Sequence, residues 1–121
     1  MSRDPGKLKV FQLADRLVVE VYRLTRRFPP EERYGLQAQL RRAAVSAPTN
    51  IVEGCARRST KDYLYFVSVA LGSASEVRYL LSLARRLGFV AASDGEALES
   101  RYGELIRGLQ RLLDVLSRPE V

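Results

Sequence analysis

The chain has 121 residues and 13.6 kDa, 46% hydrophobic and 28% charged, the size and balance of one folded domain (residues 1–121) with a single modest core. It has no histidine and one cysteine, Cys55, which excludes Ser-His-Asp and Cys-His nucleophile systems and an internal disulfide and leaves no ordinary zinc site; no catalytic residue, metal or cofactor is expected, and a reducing cytoplasm is the expected compartment. Twenty basic against fourteen acidic residues leave +6, carried unevenly: residues 1–92 hold sixteen basic and eight acidic groups, residues 93–121 four and six.

No stretch reads as a membrane span, because the longest run without a charge, residues 63–75, is too short as a helix to cross a bilayer. Residues 1–7 lack the apolar run of a secretion signal.

Four helices are predicted. The first covers about 10–27, with Leu13, Leu17, Val21 and Leu24 on one face. Phe28-Pro29-Pro30 ends it, since proline cannot continue the ladder. The second covers about 34–58. Glu31 and Glu32 precede it, at the positive end of its dipole. Leu36, Leu40, Ala43, Ala44, Ala47, Ile51 and Cys55 keep helical phase across Pro48, so one kinked helix is expected rather than two.

The third helix covers about 60–87, with Ser59 as N-cap, Asp62 as its short capping-box partner and Gly88 at C′. Its stripe runs through Phe66, Val67, Ala70, Leu71, Ala74, Val77, Leu80, Leu81, Ala84 and Leu87. Gly72 in its small-residue middle predicts close approach of another backbone. The fourth covers about 94–116 behind a Ser93–Glu96 capping box, with Leu98, Tyr102, Leu105, Ile106, Leu109, Leu112, Leu113 and Leu116 facing inward and Pro119 as its stop. Four helices joined by short loops predict an all-α, antiparallel up-down-up-down bundle.

These residues resemble a known family. Val21-Tyr22-Arg23-Leu24-Thr25 before Phe28-Pro29 is one signature. Glu32-Arg33-Tyr34-Gly35-Leu36, Gln39-Leu40-Arg41-Arg42-Ala43-Ala44 and Ser46-Ala47-Pro48-Thr49-Asn50-Ile51-Val52-Glu53-Gly54 form the second. Asp62-Tyr63, Phe66, Ala70, Gly72-Ser73, Glu76 and Leu87-Gly88 complete the pattern over about residues 10–90. Together they resemble the bacterial four-helix-bundle proteins of 23S rRNA intervening sequences (S23-like), relatives of Avd, the accessory protein of diversity-generating retroelements. The resemblance implies a homopentameric assembly and a link to RNA or DNA, with a reverse transcriptase as partner in the retroelement relative. Ala47-Pro48-Thr49 departs from the isoleucine-proline-small run of many members, removing apolar volume beside the kink.

The polar residues divide into two groups. Arg42, Asn50, Glu53 and Glu76 read as a polar network that fixes helix or subunit register, with Glu53–Arg57 an i,i+4 pair and Glu76 facing an arginine of another helix. Arg26, Arg27, Arg57, Arg58, Arg85 and Arg86 stand at predicted helix C-termini, where the dipole favours cations. Arg16 and Arg23 align with Arg27, though Glu20 shares that side. Arg107, Arg111 and Arg118 align on the fourth helix, diluted by Glu104 and Asp114. Antiparallel packing places Arg26, Arg27, Arg85 and Arg86 near one pole and Arg57, Arg58 and Lys61 near the other. The tyrosines Tyr22, Tyr34, Tyr63, Tyr65, Tyr79 and Tyr102 read as core or interface rims, and Cys55 as a small buried hydrophobe. Two functions follow as expectations: a non-enzymatic, self-associating basic module that grips a nucleic-acid backbone, or a self-associating scaffold for a protein partner.

Overall fold

The computed structural model describes residues 3–118, and the expected stop at Pro119 lies outside them. Four helices run in chain order: α1 (Lys9–Thr25), α2 (Leu36–Cys55), α3 (Thr60–Arg86) and α4 (Ala92–Ser117), with single 3-10 turns at Pro5–Lys7 and Pro30–Glu32. Each helix packs on its neighbours in sequence, and α1 also packs on α4, which closes the four into the expected antiparallel bundle. Leu17 and Val21 of α1, Leu40 and Ile51 of α2, Val67, Val77 and Leu81 of α3, and Tyr102, Leu105 and Leu109 of α4 meet in one fully buried core.

The helix ends follow from local chemistry. α1 stops at Thr25 rather than residue 27, because Arg27 and Phe28 bond the carbonyls three residues back, Leu24 and Thr25, tightening the last turn before the two prolines. α2 starts at Leu36 rather than residue 34. Pro30–Glu32 takes a 3-10 turn, and the Glu32 carboxylate accepts from the Leu36 N–H at 3.1 Å, capping the helix with an anion at its positive end. At the far end Ala56 and Arg57 make i→i−3 bonds, so α2 ends at Cys55 and Arg57 and Arg58 stand just past it. Pro48 sits inside one continuous helix, as expected. Just after it, Thr49 Oγ1 donates to the Val45 carbonyl at 2.7 Å and Asn50 Nδ2 to the Ser46 carbonyl at 2.8 Å, adding side-chain bonds where the proline ring disturbs the ladder.

Ser59 caps α3 by accepting from the Asp62 N–H at 3.1 Å. The other end closes on Gly88 at φ 79° in a Schellman arrangement: Phe89 N–H bonds the Ala84 carbonyl and Gly88 N–H that of Arg85. Two expectations about these helices fail. Leu87 lies past the last turn of α3 and is 54% exposed instead of in the stripe. The Ser93–Glu96 capping box does not form. α4 begins at Ala92 with Ala91 as its cap residue, and Gly95 N–H already bonds the Ala91 carbonyl, so Ser93 is inside the first turn.

Gly72 also departs from expectation. It faces outward, and a Cβ built there meets no atom within 4 Å. The close approach occurs at Gly54, where a Cβ would lie 3.0 Å from Phe66 Cβ and 3.3 Å from the Tyr63 carbonyl oxygen. α2 and α3 come together there because Gly54 has no side chain.

Candidate nucleic-acid interface

The antiparallel arrangement brings the ends of α1 and α3 to one pole, beside the start of α4. Phe28 and Phe89, just beyond the two ends, pack with ring centroids 5.6 Å apart. Arg26, Arg27 and Arg86 are exposed there and Arg85 is half-buried. The acidic start of α4 takes two of the four. Arg27 pairs with Asp94 at 3.1 Å, and Arg85 grips Glu99 through Nε at 2.8 Å and Nη2 at 3.2 Å. The hydrogen bond to Glu99 raises the Arg85 pKa further above its ordinary value. Arg86 donates from Nε to the Ser82 carbonyl at 3.3 Å. Below this pole, Arg23, Arg27 and Arg101 share an open groove between α1 and α4 with Glu20 and Asp94. Arg16 is exposed one helical stretch further along α1.

At the other pole Arg57 forms the expected pair with Glu53 at 2.6 Å and also lies over the Phe66 ring at 4.8 Å. Arg58, in the connection between α2 and α3, and Lys61, in the first turn of α3, are exposed nearby. The candidate basic residues are therefore split between two ends of the bundle, and part of their charge is neutralised locally.

The expected register network is only partly assembled. Asn50 Nδ2 donates to Ser46 Oγ at 3.0 Å, and that hydroxyl lies 2.8 Å from Ser73 Oγ, which ties α2 to α3. Glu53 is occupied by Arg57 on the outer side of α2 and does not meet Arg42. Glu76 is exposed rather than held in the apolar stripe. It accepts from Gln39 Nε2 at 3.4 Å, not from an arginine, and it shares a shallow depression with Arg42, Ser46 and Ser73. The angular position of Glu76 on α3 points it along the seam with α2 rather than inward.

Sequence reasoning missed Arg41. Its Nε donates to Thr25 Oγ1 at 2.9 Å, its Nη2 to the Tyr22 carbonyl at 3.2 Å, and its guanidinium lies 4.5 Å from the Tyr22 ring centroid. Thr25 is fully buried and donates in turn to the Val21 carbonyl at 2.8 Å. Arg41 thus ties α2 to the last turn of α1 and satisfies carbonyl and hydroxyl groups left over by the helix end. The signal was present in two motifs, 21–25 and 39–44, which lie far apart in sequence. Arg78 was missed as well; its guanidinium and that of Arg107 both lie against Gly103.

Of the tyrosines, Tyr63 and Tyr102 are core residues, while Tyr22, Tyr34, Tyr65 and Tyr79 face outward. Cys55 is buried as expected, and burial pushes its thiol pKa up against the opposing pull of Arg3. Burial likewise raises Tyr63 and, more strongly, Tyr102, with Glu20 adding to the latter. Each of these shifts deepens the protonated state that already prevails at neutral pH. Among the described residues no three acidic or cysteine side chains gather where a metal ion could be held, and no helix is long and apolar enough to cross a membrane.

A further surface lies between α1 and α2. Phe11, Val18, Val19, Val45, Pro48 and Val52 line an open groove there, and Val19, Val45 and Val52 are each at least 40% exposed.

The family model of the 23S rRNA-intervening sequence proteins matches residues 6–111, nearly the whole bundle. The chain belongs to that family. Its fold is also that of a crystal structure from Bacteroides thetaiotaomicron, described as a protein with unknown function from the S23 ribosomal protein family. The two share 22% sequence identity, with a TM-score of 0.80 over 87% of this chain and 95% of the other. No curated protein matches significantly. Neither family nor neighbour carries a described enzymatic activity.

Proposed function

We propose that this member of the 23S rRNA-intervening sequence family is a non-enzymatic module that self-associates, as a pentamer on the family resemblance, and holds a nucleic-acid backbone in an RNA or DNA transaction. The observation that carries the reading is the distribution of cation. Arg16 and Arg23 along α1, with Arg26, Arg58, Lys61 and Arg86 at the two poles, are all exposed in a chain of net charge +6. Multiplied over several copies, such a surface attracts phosphate without reading bases and weakens with salt. The exposed valines between α1 and α2 supply the surface for self-association, since water-facing apolar side chains grouped in one groove favour burial against a partner.

The same apolar groove favours the second reading, a scaffold for a protein partner. Molar mass from sedimentation and binding of single-stranded RNA and duplex DNA across a salt series separate the two. The nucleic-acid reading expects a defined oligomer and an affinity that falls steeply with salt. An oligomer that binds neither nucleic acid at low salt leaves the scaffold. A monomer removes the concentrated charge on which the first reading depends, and Val45→Glu is expected to produce that monomer.

A further inference from the structure

Two arginines from different helices lie together on the backbone of α4. A Cβ built on Gly103 would sit 3.4 Å from Arg107 Nη1 and 3.4 Å from Arg78 Cζ, so those two atoms are separated by no more than twice that distance. Gly103 itself is buried beneath them. With no side chain at Gly103, both guanidiniums can lie down on the helix, one arriving from α3 and one from the next turn of α4. Like charges held this close repel, and no carboxylate among the described residues pairs with either. The nearby acids are engaged elsewhere: Glu99 is gripped by Arg85 and Glu104 faces Arg101 at 3.6 Å.

We propose that the α3–α4 groove at Gly103 is a phosphate site, with Arg78 and Arg107 as its two forks. An oxyanion with several oxygens can accept from both guanidiniums at once and removes their repulsion. Arg78 also lines an open groove with Ser75, Tyr79, Ser82 and Glu99, whose carboxylate is held by Arg85, and Tyr79 is 58% exposed. An exposed ring next to a paired phosphate suits a nucleotide strand, with phosphate on the arginines and base on Tyr79. The site deepens the nucleic-acid reading above and rests on it for the source of the phosphate, which is either a strand or free phosphate.

Fluorescein-labelled single-stranded RNA, titrated across a salt series against wild type, R78A, R107A and R78A/R107A, tests it. Losing the one phosphate held by both arginines lowers the slope of log K against log salt by about 0.7 for a single strand. The two single substitutions are expected to be non-additive, because one phosphate bridges both. R78K/R107K keeps the charge, loses the fork and falls between, which guards against a fold defect. Wild-type slope and affinity in the double variant overturn the site while leaving the nucleic-acid reading intact. If wild type binds no RNA, that reading fails, and inorganic phosphate is titrated while the Gly103 amide is followed by NMR. A saturating shift lost in R78A/R107A supports a free-phosphate site, and no shift overturns it. Poly-glutamate binding as tight as RNA overturns the choice of phosphate over carboxylate.

Discussion

Two glycines inside helices occupy opposite surroundings. Gly54 faces α3, with Phe66 Cβ and the Tyr63 carbonyl against the place a side chain would take, whereas Gly72 faces outward with nothing within 4 Å. Both cost helix stability in the same way, by about 1 kcal/mol against alanine. Only Gly54 recovers that cost, by letting two helices close. A glycine in a helical pattern therefore does not itself report a close approach; the face on which it lies decides.

Substitution at these two positions should give opposite signs. Gly54→Ala is expected to destabilise by about 1–3 kcal/mol, because the methyl must displace backbone rather than a flexible side-chain tip. A thermal midpoint unchanged or raised would show that α2 and α3 can part there at no cost. Arg41→Ala probes a second interhelical contact and should cost about 1–2 kcal/mol in denaturant unfolding, by removing the partner of buried Thr25 and the stacking on Tyr22. If it costs nothing, the end of α1 is held by packing alone.

Gly72→Ala should stabilise by about 1 kcal/mol with unchanged molar mass in sedimentation, since the assembly surface proposed above lies between α1 and α2. A lower molar mass would move that surface to α3 and give Gly72 the close approach it lacks within one chain.

Tyr102→Phe has the smallest expected effect at neutral pH, a gain of up to about 1 kcal/mol. Its hydroxyl is buried without a hydrogen-bond partner among the described residues. The effect grows in alkali. Burial, then Glu20, raises the Tyr102 pKa above its ordinary 10.0, so the folded state keeps a proton that the unfolded state releases. The stability this confers is complete below pH 10 and falls above it by about 1.4 kcal/mol per pH unit. Cys55 and Tyr63, raised in the same direction, add to the loss from about pH 9 upward. Unfolding curves from pH 8 to 11 should show the wild-type decline and a shallower one in Tyr102→Phe; parallel declines would mean that Tyr102 ionises without unfolding.

Much of the bundle was legible because burial on a helix has a period. The α2 stripe from Leu36 to Cys55 is buried throughout, and Ser59 and Gly88 act through local backbone chemistry visible in a few consecutive residues. Ser93 misled because α4 starts one residue before it. The candidate site was less legible. Helix-end arginines could be placed at poles, but the carboxylates that take Arg27 and Arg85 come from α4, 67 and 14 residues away in sequence.

The amino-acid sequence alone determined four amphipathic helices, their short connections, the basic excess and the lack of histidine chemistry, since each depends on composition or on neighbours within a turn or two. Only the tertiary structure decided which arginines find a carboxylate, which glycine admits a helix, where Arg41 ends, and that Arg78 and Arg107 both lie against Gly103. Those outcomes depend on the rotation of each helix about its axis against its neighbours, and core packing sets that rotation from all four helices together.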